Sequence, residues 1–333
     1  MRLSRTGDLT DTVTHPEIGA LVNVEGDNGS RFALMENGYG EYNIAQLALE
    51  NNIKYRIHIR TGDGREYISD FTPVKYTPAI DSITWQRENG GLTLYANAHD
   101  PQNATRYYRW KYEETWEFHS AFYSSLKYLY DSSTYTIIGL AYRNPDQSVD
   151  TTIYKCWKTL NTTSIILGST EKLSSDVVYL PVQYIEPGSE KLSVLYSINL
   201  RQYAISHDEY LFLQKMKKNT EQLGSLFDAQ PTEISGNFHC LTDTNEPVIG
   251  FVEITQEQTK RVFIYNDQIS GWNYNSGCIL IDLDNNKDNY SFDILPTNAS
   301  KISSYGIVSF QASTPTCVDC TLKGTNHRPS FWP

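Results

Sequence analysis

The sequence predicts an all-β protein: a small antiparallel amino-terminal sandwich over residues 1–77, then a larger β-sandwich domain over 78–333 that carries one helical insertion. Three observations predict it. Tyr occurs 24 times in 333 residues, and sheets favour aromatic and β-branched side chains. Short segments of period-two alternation, separated by polar turns, follow one another almost to the end. Pro73 and Pro78 frame the stretch TPVKYTPAIDSITW, where a hydrogen-bonded ladder would be interrupted and a domain boundary fits.

In the first unit, ALVNVEG and RFALME flank the DNG turn at Asp27 to Gly29, a hairpin signal. IKYRIHIR then turns Ile53, Tyr55, Ile57 and Ile59 inward and Lys54, Arg56, His58 and Arg60 outward. His58 reads as a solvated residue on a basic face, with a ligand contact as the weaker reading. About five strands are countable before residue 77, whereas sandwiches of this kind usually have around seven. The expectation is that one or two strands are missing upstream.

Beyond the boundary the strands continue as GLTLYAN, TRYYRWKYEETWEF, TTIYKCWKT, TSIILGS, VVYLPVQYI, LSVLYSINLRQYAI, EISGNFHCL, VIGFVEIT and KRVFIYN. The second of these settles the use of its aromatics. Tyr108, Trp110, Tyr112, Trp116 and Phe118 share one face, a core face, and Arg109, Lys111 and Glu117 share the solvent face. A stacking platform for a ligand is the rival reading. Glu114 is the intruder on the core face, buried unless a bulge turns it outward. Ser206 and Glu209 have capping-box spacing, which predicts a helix over about 206–223, ending near Gly224.

A formal net charge of −11 and a pI near 5.1 argue against nucleic acid and against direct contact with an anionic membrane surface. No apolar run approaches the roughly 18 residues of a transmembrane helix, and no signal peptide follows Met1. Taken literally, that points to the cytoplasm. The opening RLSRTGDLTDT, however, reads as the middle of a strand, so an export signal is expected ahead of it.

No GxSxG elbow, HExxH helix, P-loop or dinucleotide fingerprint occurs, so no catalytic residue, cofactor or metal is assigned. Carboxylates are plentiful, and a glycosidase pair is set by spatial separation, not by spacing; Glu114 is the individual candidate, as a buried carboxylate. The loop DQISGWNYNSGC presents Trp272 and Tyr274 without apolar alternation, which makes them the ligand-binding candidates, although a loop Trp also serves to plug a sandwich end. Of five cysteines, Cys278, Cys317 and Cys320 are disulfide candidates, preferred over a zinc knuckle completed by His327. Cys156, beside Trp157, reads as a buried thiol.

Several stretches together resemble one family: LSRTGDLTDT with GALVNVEGDNG, then YYRWKYEETWEF, GSLFDAQPTEISGN, NEPVIGFVEIT and the terminal CVDC and RPSFW. They are similar, in order over nearly the whole chain, to the Bacteroidota surface-lipoprotein family known as domain of unknown function number 4249. That resemblance implies an immunoglobulin- or transthyretin-like first sandwich, a lipid anchor on the outer membrane at the cell surface, and a SusC-like TonB-dependent transporter as partner. The implied role is accessory, capturing or admitting an unidentified ligand. A structural or adhesion module and a surface hydrolase are the alternatives. The leader and lipid-bearing cysteine of that pattern are absent from this chain.

Overall fold

The computed structural model of the chain describes residues 1–5, 13–45, 47–221 and 236–333. Its strands begin with β1 (Ser4–Arg5), β2 (His15–Pro16), β3 (Leu21–Gly26), β4 (Arg31–Glu36), β5 (Tyr42–Asn43), β6 (Lys54–Arg60), β7 (Glu66–Ser69) and β8 (Thr72–Lys75). The long strands follow: β9 (Ile80–Glu88), β10 (Gly91–His99) and β11 (Tyr107–His119), with the hairpin β12 (Leu126–Tyr130) and β13 (Ile137–Tyr142). Next come β14 (Lys155–Asn161), β15 (Ile166–Ser169), β16 (Val177–Ile185), β17 (Leu195–Ile205) and helix α1 (His207–Glu221). The chain closes with β18 (Phe238–Cys240), β19 (Ile254–Thr255), β20 (Gln258–Tyr265), β21 (Ile281–Asp284), β22 (Leu295–Ser303), β23 (Gly306–Ser313) and the short α2 (Pro315–Val318). The protein is mostly β, in several antiparallel sheets with one long helix among the described residues. Residues 222–235, which include Gly224 and most of the GSLFDAQPTEISGN stretch, lie outside them, as does 6–12 of the opening strand.

The first sheet is ordered β18-β7-β6-β3-β4-β5, with β8 on β6 and β19 on β8. The DNG turn joins β3 to β4 with Gly29 at φ +88°, a conformation a β-carbon resists. Alternation in β6 buries Tyr55, Ile57 and Ile59 against Val22, Val24 and Tyr42. The sheet also recruits strands from far downstream in the chain. Phe238–Cys240 pairs antiparallel with β7, and Ile254–Thr255 pairs parallel with β8. Strand count therefore supplies no argument about what precedes Met1.

The larger region contains a β16-β10-β9 sheet and a β14-β11-β17-β20 sheet with β15 beside β11. Leu92, Leu94 and Ala96 of β10 share one core with Tyr108, Trp110 and Phe118 of β11 and Tyr196, Ile198 and Leu200 of β17. All five aromatics assigned to the β11 core face are buried there. Trp110 keeps its indole satisfied by donating Nε1–H to Gln202 Oε1 at 2.9 Å, and Gly168 is required beneath it, since a β-carbon there would stand 2.8 Å from the ring. A separate cluster of Leu126, Tyr128, Phe310 and Ala312 joins the β12–β13 hairpin to the β21-β23-β22 sheet.

Candidate functional site

Glu114 lies on the core face of β11 and no bulge displaces it, because β11 and β17 stay in unbroken register from Tyr107 to Glu117. Its carboxylate is fully occupied: Lys191 Nζ donates to Oε1 at 2.6 Å, and Tyr196 Oη and Gln183 Nε2 donate to Oε2 at 3.0 and 3.1 Å. Such a group is a structural ion pair. Glu117 departs from expectation, being buried instead of exposed. Trp332 Nε1 donates to it at 3.1 Å from the chain's last turn, and Lys155 and His119 approach at 2.9 and 3.0 Å. Burial by itself would raise its pKa, yet these donors hold it below the usual carboxylate range.

Trp272 is only 8% exposed and belongs to the main core. Its Nε1 donates to the Ser189 carbonyl at 3.0 Å and Arg87 covers the ring at 5.0 Å. The ring is therefore withdrawn from solvent, in the plugging position. Tyr274 is half-buried and donates its hydroxyl to Glu190 at 2.9 Å, an arrangement in which burial and that carboxylate push its pKa up to about 12. His58 also departs from a solvated role: its Nδ1 is 2.9 Å from Glu25, on which Arg56 and Arg31 converge as well.

Cys278 pairs with Cys317, and Cys320 pairs with Cys156. The buried-thiol reading of Cys156 is thus corrected; its strand and the carboxy-terminal turn are brought together by a bridge across 164 positions, a contact no local pattern announces. Cys240 is the free thiol among the described residues. No group of three His, Cys, Asp or Glu is placed to hold a metal ion among the described residues, and none of their helices is long and apolar enough to cross a membrane.

The constellation that sequence reasoning missed sits where the first sheet meets α1. A cleft of about 630 Å³ is lined there by Lys75, Ser206, Phe212, Lys215, Phe251 and Glu253 among others. A second, of about 390 Å³, shares Lys75 and Ser206 and adds Arg106, Tyr107 and His207. Ser206 caps α1 as expected, its Oγ accepting Glu209 N–H at 3.0 Å. The reciprocal half of the capping box is altered, because the Ser206 N–H goes to Glu253 Oε2 at 2.7 Å. Glu209 turns instead toward Arg109, at 3.3 Å, and toward Glu253 itself. Burial, a hydrogen bond to Glu253 and the charge of Glu253 together raise the Glu209 pKa to about 8. Nothing in VIGFVEIT signals that Glu253 reaches a helix cap, since the pairing is tertiary.

Fold and site together define a disulfide-bonded, mostly β protein with a cleft at the junction between its first sheet and its single long helix among the described residues. The chain belongs to the family described as domain of unknown function (DUF4249), whose model matches residues 1–261. The match takes in the junction cleft and ends within β20, so CVDC, RPSFW and the Cys278–Cys317 bridge lie beyond it, and the resemblance is shorter than the nearly whole-chain similarity read from motifs. No curated protein and no solved structure matches the chain.

Proposed function

We propose that this protein works outside the cytoplasm, held at the outer-membrane surface by a lipid anchor in its intact form, as a non-enzymatic accessory of a SusC-like TonB-dependent transporter. The observation that carries the compartment is the pair of disulfides, since such bonds persist in oxidising surroundings and are rare where thiols are kept reduced. The accessory role is what the resemblance to a surface-lipoprotein family implies. The junction cleft, lined by both charged and aromatic side chains, is where a ligand would be captured. In this reading the first sheet is an immunoglobulin- or transthyretin-like sandwich and the next two sheets, which share one core, form the larger one.

Affinity purification of the tagged protein from native membranes, with surface proteolysis of intact cells, tests the proposal. A co-purifying TonB-dependent transporter and cleavage at the surface are expected. Reduced protein confined to the cytoplasm would overturn the compartment, and a surface protein with no transporter partner would favour the adhesion module. The exposed Tyr135 and Tyr305 at the turns after β12 and β22 are the feature that would serve adhesion.

A further inference from the structure

The core face of the first sheet is incompletely covered. Beside Ile59, Tyr67 and Phe238 lies an open groove of about 620 Å³, with residues 1–5 along one side and 246–252 along the other. Ile59 is buried, whereas Leu3, Tyr67 and Phe238 pack only partly against the core of that sheet.

Each wall of the groove is backbone with one edge used and one edge free. On the first wall the odd residues are bonded. Met1 exchanges hydrogen bonds with Tyr42 at 2.7 and 2.8 Å, Leu3 donates to the Gly40 carbonyl at 2.8 Å and accepts Glu17 N–H at 3.0 Å, and Arg5 pairs opposite His15. Successive residues of an extended chain turn their N–H and C=O to opposite edges, so Arg2 and Ser4 present theirs away from these partners. On the second wall the even residues are held. Gly250 accepts Asn237 N–H at 3.1 Å, and Val252 exchanges two bonds of 2.9 Å with the Asn237 side chain. Among the described residues, no hydrogen bond satisfies the backbone of Arg2, Ser4, Ile249 or Phe251.

A small apolar molecule would cover the floor but leave the N–H and C=O groups of both walls unmatched. Another backbone matches both at once, and free edges of this kind recruit strands. A strand laid in the groove sets every second side chain on the floor. At the rim, Arg5 and Arg65 are neutralised by Glu17 and Glu246, while Arg2 has no ion partner among the described residues, which favours an acidic residue at one end of the occupant.

We propose that this groove is a docking site for an extended strand of a partner polypeptide, inserted between residues 1–5 and 248–252 with apolar side chains at alternate positions on Ile59, Tyr67 and Phe238. The inference does not depend on the transporter reading, because it rests on the two free edges and the floor between them.

Amide NMR of the full chain tests it, the probe being an acetylated peptide of about seven residues that alternates Val with Thr and ends in Glu. In the free chain the amides of Arg2, Ser4, Ile249 and Phe251 should exchange at nearly intrinsic rates while that of Leu3 stays protected. Saturating peptide should slow all of the first set by about tenfold or more. The same peptide N-methylated at alternate residues lacks the donors of one edge and should lose the effect. Ser4→Pro deletes a donor that the fold leaves unused, a change an edge tolerates, and should weaken peptide affinity about two- to tenfold, the worth of one hydrogen bond. If that variant does not fold, the N-methylated comparison on the wild type carries the test. Slow exchange of the four amides without peptide would show that the chain itself fills the groove and would overturn the partner. No binding, or binding indifferent to N-methylation, would overturn the strand.

Discussion

The hydroxyls of Thr77 and Thr255 meet at 3.0 Å, one on each of the two passages by which the chain leaves the first sheet. Thr77 Oγ1 also donates to the Gln256 carbonyl at 2.6 Å and accepts Ala204 N–H at 3.0 Å, while Thr255 Oγ1 bonds the Ala204 carbonyl at 2.9 Å. The two passages are thereby pinned to the end of β17 at a buried point. Thr77→Val keeps the shape but leaves a buried donor and acceptor unpaired, which costs about 1–3 kcal/mol for each. Urea unfolding should show a lowered midpoint, and an unchanged midpoint would mean that the pins are redundant.

The β11 strand shows what was legible in the sequence and what was not. Its core face follows from alternation alone, which is a local property of the chain. Glu117 escaped because the residue that covers it, Trp332, is 215 positions away. The same limit hid the place of β18: EISGNFHCL reads as a strand of the larger domain, and only the tertiary fold brings Phe238–Cys240 to the edge of β7 in the first sheet. Trp272 was found as an unusual loop aromatic, but its direction depended on Ser189 and Arg87, neither near it in sequence.

The two disulfides should differ in weight. Cys156–Cys320 closes a loop with a sequence separation of 164, and Cys278–Cys317 one of 39. In the chain-entropy account the longer loop restrains the unfolded state more. Replacing Cys156 and Cys320 together by Ser should cost about 2–4 kcal/mol, and more than the same change at Cys278 and Cys317. Denaturant titration of the two double variants compares them, and the reverse order would show that native packing outweighs loop length.

The Glu114–Lys191 pair should be asymmetric under mutation. Lys191→Met strands a buried carboxylate and is expected to destabilise by about 3–5 kcal/mol. Glu114→Gln combined with Lys191→Met removes both charges, and should recover most of that loss because the hydrogen bonds from Tyr196 and Gln183 have an acceptor left. Thermal melts of the single and double variants measure the difference. Equal losses would show that the pair's geometry, not its charge balance, holds the sheet.

The acid limb of stability should trace to Glu25. Burial opposes its ionisation, but His58, Arg56 and Arg31 donate to it and bring its pKa from 4.5 down to about 2. A depressed carboxyl contributes stability above the unfolded value, and the contribution is lost as pH falls from about 4.5 through about 2. In that window the wild type binds protons on unfolding, so its urea midpoint should drop steadily with pH. Glu25→Gln removes the proton uptake at this site, and should start lower near neutral pH while falling less steeply in acid. Parallel curves for the two proteins would place the acid sensitivity elsewhere, with Asp63, held low by Thr61 and Arg5, the next group to replace.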